Sequence, residues 1–219
     1  GGLSISTMVQ KPWGAVRAFS ALLEQAAADY VMFCDQDDVW NPEKIAKLMQ
    51  RMREVEAEHP GVPVIVHCDL EVVDESLRCI APSFMRYSRL QPVPGTLREA
   101  LVQNSVTGCA MLLNRRSVDL AVPVHGDALM HDMWAVCQVV KGGGVISFVA
   151  EPLVRYRQHG ANRLGAKRVG WWHFLRRVPS AVQRFQCLIR QSRAIDPSIS
   201  TVSLVQTKLR LSLCRLREG

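Results

Sequence analysis

The chain has 219 residues, of which 48% are hydrophobic and 21% are charged, and its formal net charge is +7. This length suits one large domain, or one domain with an appendage, and the apolar content excludes a wholly disordered protein. No apolar run approaches the roughly 18–20 residues that a membrane-spanning helix needs.

Charge is divided unevenly along the chain. Residues 1–154 contain 18 acidic and 13 basic residues, whereas residues 155–219 contain 2 acidic and 14 basic ones. Such a basic end favours an anionic partner: a diphosphate, lipid headgroups or nucleic acid. Seven scattered cysteines form no CxxC pair, and the first residues lack a signal-peptide pattern. We therefore expect reduced thiols in a cytoplasmic protein.

Helices and strands alternate along most of the chain, as judged from the spacing of apolar residues. Asn41 is expected to cap a helix whose first position is Pro42. Helices are predicted at 15–28, 42–58, 97–103 and 131–141, strands at 30–34, 64–68, 109–113 and 145–149, and a loop at 75–96. This alternation predicts an α/β fold with a mostly parallel sheet flanked by helices.

Three carboxylates, Asp35, Asp37 and Asp38, directly follow the predicted strand 30–34. Ligands of open α/β sheets bind at the carboxyl ends of strands. Mg²⁺ and Mn²⁺ take oxygen ligands and often share them with a substrate phosphate. The cluster therefore indicates a metal-dependent enzyme that acts on a phosphorylated donor, and the alternative is a solvated turn beside a helix cap.

Three further polar segments invite a chemical interpretation. Residues 104–108 end in Gly108, which lets the backbone approach a ligand closely. Asp132 is an acid at the start of an apolar helix, where the helix dipole favours a negative charge. Residues 156–162 form a polar stretch after the last predicted strand. The alternatives are a tight strand entry, a first-turn acid and a surface loop, respectively.

Taken in order, these segments resemble glycosyltransferase family 2 of the GT-A fold, most closely its bacterial rhamnosyltransferase-like branch. The resemblance covers about residues 12–168 and rests on the stretches DYVMFCDQDDVWNPEKI, VTGCAMLLNR, HDMW and YRQHGAN. We therefore predict a GT-A catalytic domain over residues 1–168 and a basic amphipathic helical tail over residues 169–219. The family's nucleobase-binding strand and acidic turn have no counterpart here, so we expect the domain to be N-terminally truncated.

The resemblance implies an inverting transfer of a sugar from a nucleoside diphosphate donor to a cell-surface glycan or lipid-linked acceptor. L-rhamnose from a dTDP donor is the first choice. Asp35 and Asp37 match the DxD pair that contacts the donor ribose and the metal, and Asp132 matches the acceptor-side base. The predicted ligands of Mg²⁺ or Mn²⁺ are Asp37 and His159. The other donor-site candidates are Asp38, Trp40, Thr107, Gly108 and Arg157.

Chemical reasoning supports the same roles. A metal neutralises the charge of a leaving diphosphate, and Arg157 can bind phosphate through two hydrogen bonds. An acceptor hydroxyl needs a carboxylate to take its proton, which is the role expected of Asp132. Two other functions use the same residues: a non-catalytic remnant or binding module of this fold, and a metal-dependent phosphohydrolase.

The basic tail contains Trp171, Trp172 and Phe174 among its arginines. This composition is typical of a helix that lies on a membrane surface, and we expect a contact with the inner face of the cytoplasmic membrane. The alternative is a tail that packs against the catalytic domain and keeps its arginines in water. Nucleic-acid binding is not expected, because no recognised module accompanies the charge.

Overall fold

The structure is a computed structural model that describes residues 14–158 and 178–217. The helices are α1 Ala15–Gln25, α2 Lys44–Glu58, α3 Phe84–Ser88, α4 Leu97–Val102, α5 Arg115–Ala121, α6 His131–Lys141, α7 Val178–Ile195 and α8 Thr201–Arg217. The strands are β1 Tyr30–Met32, β2 Val39–Trp40, β3 Val64–Val73, β4 Cys79–Ala81, β5 Met111–Asn114 and β6 Val145–Arg157. A 3₁₀ turn, Gly108–Ala110, leads into β5.

The predicted alternation of helices and strands is confirmed, and α6 has the predicted bounds. The main differences are that β3 and β6 extend much further than their apolar runs. These two strands pair in parallel along their lengths, with register shifts around Asp69. Each strand thus gains hydrogen-bonding partners beyond the point at which charged residues interrupt its apolar pattern.

The sheet has the strand order β1-β5-β3-β6-β2, and β4 pairs with β3. Among the described strands only the β3–β6 pairing is parallel, and the other four pairings are antiparallel. This differs from the mostly parallel sheet that was predicted. The reason lies in α3 and α4, which have only 5 and 6 residues. At about 1.5 Å per helical residue they are too short to carry the chain back along a strand that rises about 3.3 Å per residue.

Both faces of the sheet are buried, which confirms the α/β class of a GT-A-like fold. Ile65 of β3 lies in a cluster with side chains of α1, α6 and the C-terminal helices. Its neighbours Val64 and Val66 point the other way, into a cluster with α2. Because successive strand residues alternate between faces, a continuous apolar run is needed to fill both layers.

The described part of the C-terminal helical region packs against α6 and its neighbours. Leu188 and Ile195 of α7 and Leu204 of α8 are buried in the same cluster as α6. The side chain of Gln191 accepts a hydrogen bond from the backbone N–H of Leu129 at 2.7 Å. Trp171, Trp172, Phe174 and the predicted boundary after residue 168 lie outside the described residues. Within 14–158 and 178–217, no helix has the length and apolar content to cross a membrane.

Candidate active site

Most of the predicted site residues that the structure describes lie close to the end of β1. β1 and β5 are antiparallel neighbours, with Met32 opposite Leu112. The end of β1 therefore lies beside the 3₁₀ turn that precedes β5. The first turn of α6 contacts that turn, and the end of β6 contacts the acidic loop after β1. Four separate parts of the chain thus meet at this edge of the sheet.

Asp35, Asp38 and Cys109 form the centre of this site. One carboxylate oxygen of each aspartate and the Cys109 Sγ lie within 4.8 Å of one another. Asp38 Oδ1 accepts a hydrogen bond from the backbone N–H of Arg157 at 3.1 Å. Asp38 Oδ2 is buried and has no hydrogen-bond partner among the described residues. A buried carboxylate oxygen of this kind is costly unless a donor or cation meets it.

The electrostatics of the two carboxylates also favour a cation. Burial raises the pKa of Asp35, and the nearby charge of Asp37 raises it further. Burial raises the pKa of Asp38 by more than the Cys109 thiol and the Arg157 amide lower it. Two partly buried carboxyl groups that oppose each other's ionisation are stabilised when a positive charge binds between them.

In this group, only the carboxylate oxygens are suitable ligands for a hard divalent cation. Asp35 and Asp38 offer carboxylates, which Mg²⁺ and Mn²⁺ prefer. Burial raises the pKa of the Cys109 thiol well above its ordinary value, so the group stays protonated. A protonated, soft thiol is a poor ligand for either ion.

Of the two predicted metal ligands, only Asp37 lies among the described residues. The carboxylate of Asp37 is not part of the Asp35–Asp38–Cys109 group. Its backbone C=O accepts a hydrogen bond from Arg157 Nε at 2.9 Å, and its charge acts on Asp35. His159 lies outside the described residues. Within the described chain, Asp35 and Asp38 therefore form the stronger ligand pair, and Asp37 and His159 remain predictions.

Asp132 is buried in the first turn of α6, with 4% of its surface exposed. Its Oδ2 accepts from the backbone N–H of Gly108 at 3.0 Å. Its Oδ1 accepts from the N–H of Met133 at 2.6 Å and from the Asn104 side chain at 3.3 Å. The carboxylate therefore joins segment 104–108 to α6, in addition to any chemical role.

Gly108 lies in close contact with the first turn of α6. A Cβ at this position would lie 3.0 Å from His131 Nε2 and 3.5 Å from the Cβ of Asp132. Glycine therefore lets the turn approach the helix, whereas the sequence suggested an approach to a ligand. Thr107 is half-buried immediately before it.

His131 is a residue that the sequence interpretation passed over. Its ring stacks on Phe19 at 4.2 Å between centroids and meets Phe33 edge-on at 4.7 Å. Neither ring nitrogen has a hydrogen-bond partner in the part of the chain that the structure describes. Burial lowers the pKa of His131, which favours the neutral ring beside Asp132.

Lys44 was also missed, although it is fully buried at the start of α2. Its Nζ donates to the backbone C=O of Cys109 at 2.6 Å and lies 3.2 Å from the ring centroid of Trp40. Burial lowers its pKa to about 8. The position of a lysine six residues after Asp38 was the only available signal. The Trp40 ring thus packs against the Lys44 ammonium group. The indole N–H of Trp40 is buried and has no hydrogen-bond partner within residues 14–158 and 178–217.

Arg157 holds the acidic loop against β6. Besides its contacts with Asp37 and Asp38, its Nη1 donates to the backbone C=O of Glu75 at 2.6 Å. Much of its hydrogen-bonding capacity is therefore directed at the protein itself.

Asp69 follows the predicted strand 64–68 directly, but the structure places it inside β3. It is only 6% exposed. Its carboxylate accepts from Ser83 Oγ at 2.5 Å and from the N–H of Met85 at 3.2 Å, which fixes the start of α3. Asp74 is the turn residue, since its Oδ1 accepts from the N–H groups of Ser76 and Arg78.

Comparison with known proteins identifies the family. The family model described as Glycosyl transferase family 2 matches residues 6–119, which is just over half of the chain. The chain belongs to glycosyl transferase family 2. The match contains Asp35, Asp38, Lys44 and Cys109 and ends before Asp132. No curated protein matches the chain. Members of this family are, in general, glycosyltransferases that use a nucleotide-sugar donor and a glycan acceptor.

Proposed function

We propose that this family 2 glycosyltransferase transfers L-rhamnose from a dTDP-linked donor, with inversion, to a cell-surface glycan or lipid-linked acceptor. One observation supports the catalytic part of the proposal above all others. Cys109 lies against the carboxylates of Asp35 and Asp38, and the adjacent N–H of Gly108 binds Asp132. Two successive residues therefore connect the candidate donor site to the candidate base.

In this proposal Asp35 and Asp38 hold Mg²⁺ or Mn²⁺, with Asp37 and His159 as further candidate ligands. When bound, the metal neutralises charge on the leaving diphosphate as a Lewis acid. Lys44 lies under this site and adds positive charge close to Asp38. Arg157 holds the loop that carries the carboxylates, and Thr107 and Trp40 are further candidate donor-binding residues.

Asp132 acts as the general base. The acceptor oxygen attacks the anomeric carbon, the bond from that carbon to the diphosphate breaks, and Asp132 takes the hydroxyl proton. A single displacement of this kind inverts the anomeric configuration. Asp132 is buried, so one of its three donors must give way before an acceptor hydroxyl can bind. The 3.3 Å contact with Asn104 is the longest of the three and is the one we expect to be replaced.

We place the reaction in the cytoplasm, at the inner face of the membrane where lipid-linked acceptors are exposed. The experiment combines the full-length protein, Mn²⁺, labelled nucleotide sugars and an extract of cellular lipids and glycans. We expect label from dTDP-L-rhamnose in the acceptor fraction, with inverted anomeric configuration by NMR. Transfer from another nucleotide sugar alone would overturn the rhamnose assignment.

Two other results would overturn the enzyme assignment itself. Sugar or phosphate released equally fast without any acceptor would indicate a phosphohydrolase. Donor binding without turnover, in an extract that supports a known family 2 enzyme, would indicate a binding module.

A further inference from the structure

Helix α8 presents an apolar stripe to solvent. Val202, Val205, Leu209 and Leu213 are 64%, 38%, 58% and 59% exposed, respectively. Their spacing of three and four residues places them on one face of the helix. The opposite face of the helix packs into the protein, where Leu204 and Leu211 are buried. The helix therefore has one apolar face in the protein core and a second one that the described residues leave uncovered.

The same helix is basic. Thr201–Arg217 contains Lys208, Arg210, Arg215 and Arg217 and no acidic residue. At 100° per residue, Lys208 and Arg210 fall on opposite sides of the stripe. Lys208 is exposed, and Arg210 pairs with Glu99 of α4 while most of its side chain remains in solvent. Lys208 thus places positive charge on one side of the stripe, and Arg210, on the other side, shares its charge with Glu99.

We propose that this face of α8 docks on an anionic lipid surface. Apolar side chains of an interfacial helix enter the acyl boundary, while lysine and arginine reach the acidic headgroups. An anionic lipid surface therefore complements both properties of the face. This inference concerns a binding surface and does not depend on which sugar is transferred.

Charge also argues against two other partners for this face, namely a second copy of the protein and another segment of the same chain. A second copy of α8 would bring two identical basic borders together, which costs energy. Residues 1–13 and 159–177 contain basic residues and no acidic residue. Neither segment therefore offers the negative charge that this face would attract.

Vesicle flotation of the full-length protein tests the proposal. We expect binding to equimolar phosphatidylcholine and phosphatidylglycerol vesicles, and much weaker binding to phosphatidylcholine alone. The double substitution Leu209→Ser and Leu213→Ser should lower the partition coefficient at least about tenfold, since both side chains lose apolar burial. Lys208→Gln should lower it about fivefold and only on the acidic vesicles.

The matched control is the double substitution Leu22→Ser and Leu120→Ser. These leucines are 50% and 40% exposed but lie on α1 and α5. The control should bind vesicles as the unchanged protein does. Equal losses in both double variants would overturn the assignment, and circular dichroism establishes that each variant is folded.

Two further outcomes would also overturn it. Vesicle binding that survives the α8 substitutions but disappears in Trp171→Ala/Trp172→Ala would assign the contact to another segment. A dimer in sedimentation that dissociates in the α8 double variant, with vesicle binding unchanged, would identify a second copy as the occupant.

Discussion

Asp132 combines a structural and a chemical task in one side chain. Its two oxygens accept three hydrogen bonds, two of them from backbone N–H groups. Asparagine has nearly the same shape but only one accepting oxygen, so Asp132→Asn leaves donors unpartnered and removes the base. We expect at least about a hundredfold lower transfer rate and about 1–3 kcal/mol lower free energy of unfolding. Rate assays, donor titration calorimetry and urea denaturation measure these effects.

The control is Asp127→Asn, which removes the same charge from an exposed position in the loop before α6. It should change neither quantity appreciably. Donor affinity should persist in Asp132→Asn, because the carboxylates of Asp35 and Asp38 are intact. Near-normal turnover in that variant would refute the assignment of the base.

Lys44 is the second residue at which one side chain serves two segments. It ties α2 to the 3₁₀ turn through the Cys109 carbonyl and rests on Trp40. Lys44→Met keeps the apolar stem but removes the donor, so the buried carbonyl loses its lysine partner. We expect the free energy of unfolding to fall by about 1–3 kcal/mol, measured by chemical denaturation.

Lys47, one turn further along α2, provides the comparison. It forms ion pairs with Glu43 and Glu151 at the surface. Lys47→Met should lower the free energy of unfolding much less than Lys44→Met does, since surface ion pairs contribute little. If both variants lose the same free energy of unfolding, the burial of Lys44 does not explain its contribution to stability.

At the level of structural elements, the acidic loop after β1 should show a distinctive dependence on pH. Asp35 and Asp38 both have a raised pKa in the folded protein. Their contribution to stability is therefore present below the ordinary aspartate pKa of about 4 and is lost as pH rises through the folded values. A bound cation offsets this loss, so the increase in melting temperature caused by Mn²⁺ should grow as pH rises above about 4.

Asp38→Asn should remove most of that Mn²⁺ effect and stabilise the metal-free protein at neutral pH. Glu58→Gln, at the exposed end of α2, should leave both properties unchanged. Differential scanning fluorimetry over a series of pH values gives the measurement. A Mn²⁺ effect that is independent of pH, or unaltered in Asp38→Asn, would place the metal elsewhere.

The elements also show what a sequence can and cannot predict. The order of helices and strands follows from local apolar spacing, and α6 was predicted with its bounds. The predicted strand 64–68 stops before Asp69, because a charged residue inside a buried strand is unfavourable unless it is paired. The partners of Asp69, Ser83 and Met85, lie 14 and 16 residues later. Contacts over that separation leave no local pattern.

The candidate site follows the same rule. Asp35, Asp38 and Asp132 were predicted, because carboxylates at a strand end and at a helix start are visible in the sequence. Lys44 and Cys109 were missed, because they meet across 65 positions through a backbone carbonyl. Every residue has the same backbone carbonyl group, so composition and spacing do not indicate which carbonyl accepts the hydrogen bond.

For the molecule as a whole, the C-terminal helices share one apolar cluster with α1 and α6. Leu204 of α8 is fully buried in the cluster that contains Trp134 of α6. We therefore expect the described parts to unfold together. Leu204→Ala should lower the free energy of unfolding by about 2–5 kcal/mol, as for other buried leucines. It should shift the tryptophan fluorescence and helical circular dichroism transitions by the same amount.

Leu209→Ala is the matched control on the same helix. Its leucine is 58% exposed, so truncation should change the free energy of unfolding by no more than about 0.5 kcal/mol. If Leu204→Ala instead separates the two transitions, with helical signal lost before tryptophan fluorescence changes, α7 and α8 unfold independently. In that case the shared cluster would not couple the C-terminal helices to the site, and the membrane-docking face of α8 could act without affecting the stability of the catalytic domain.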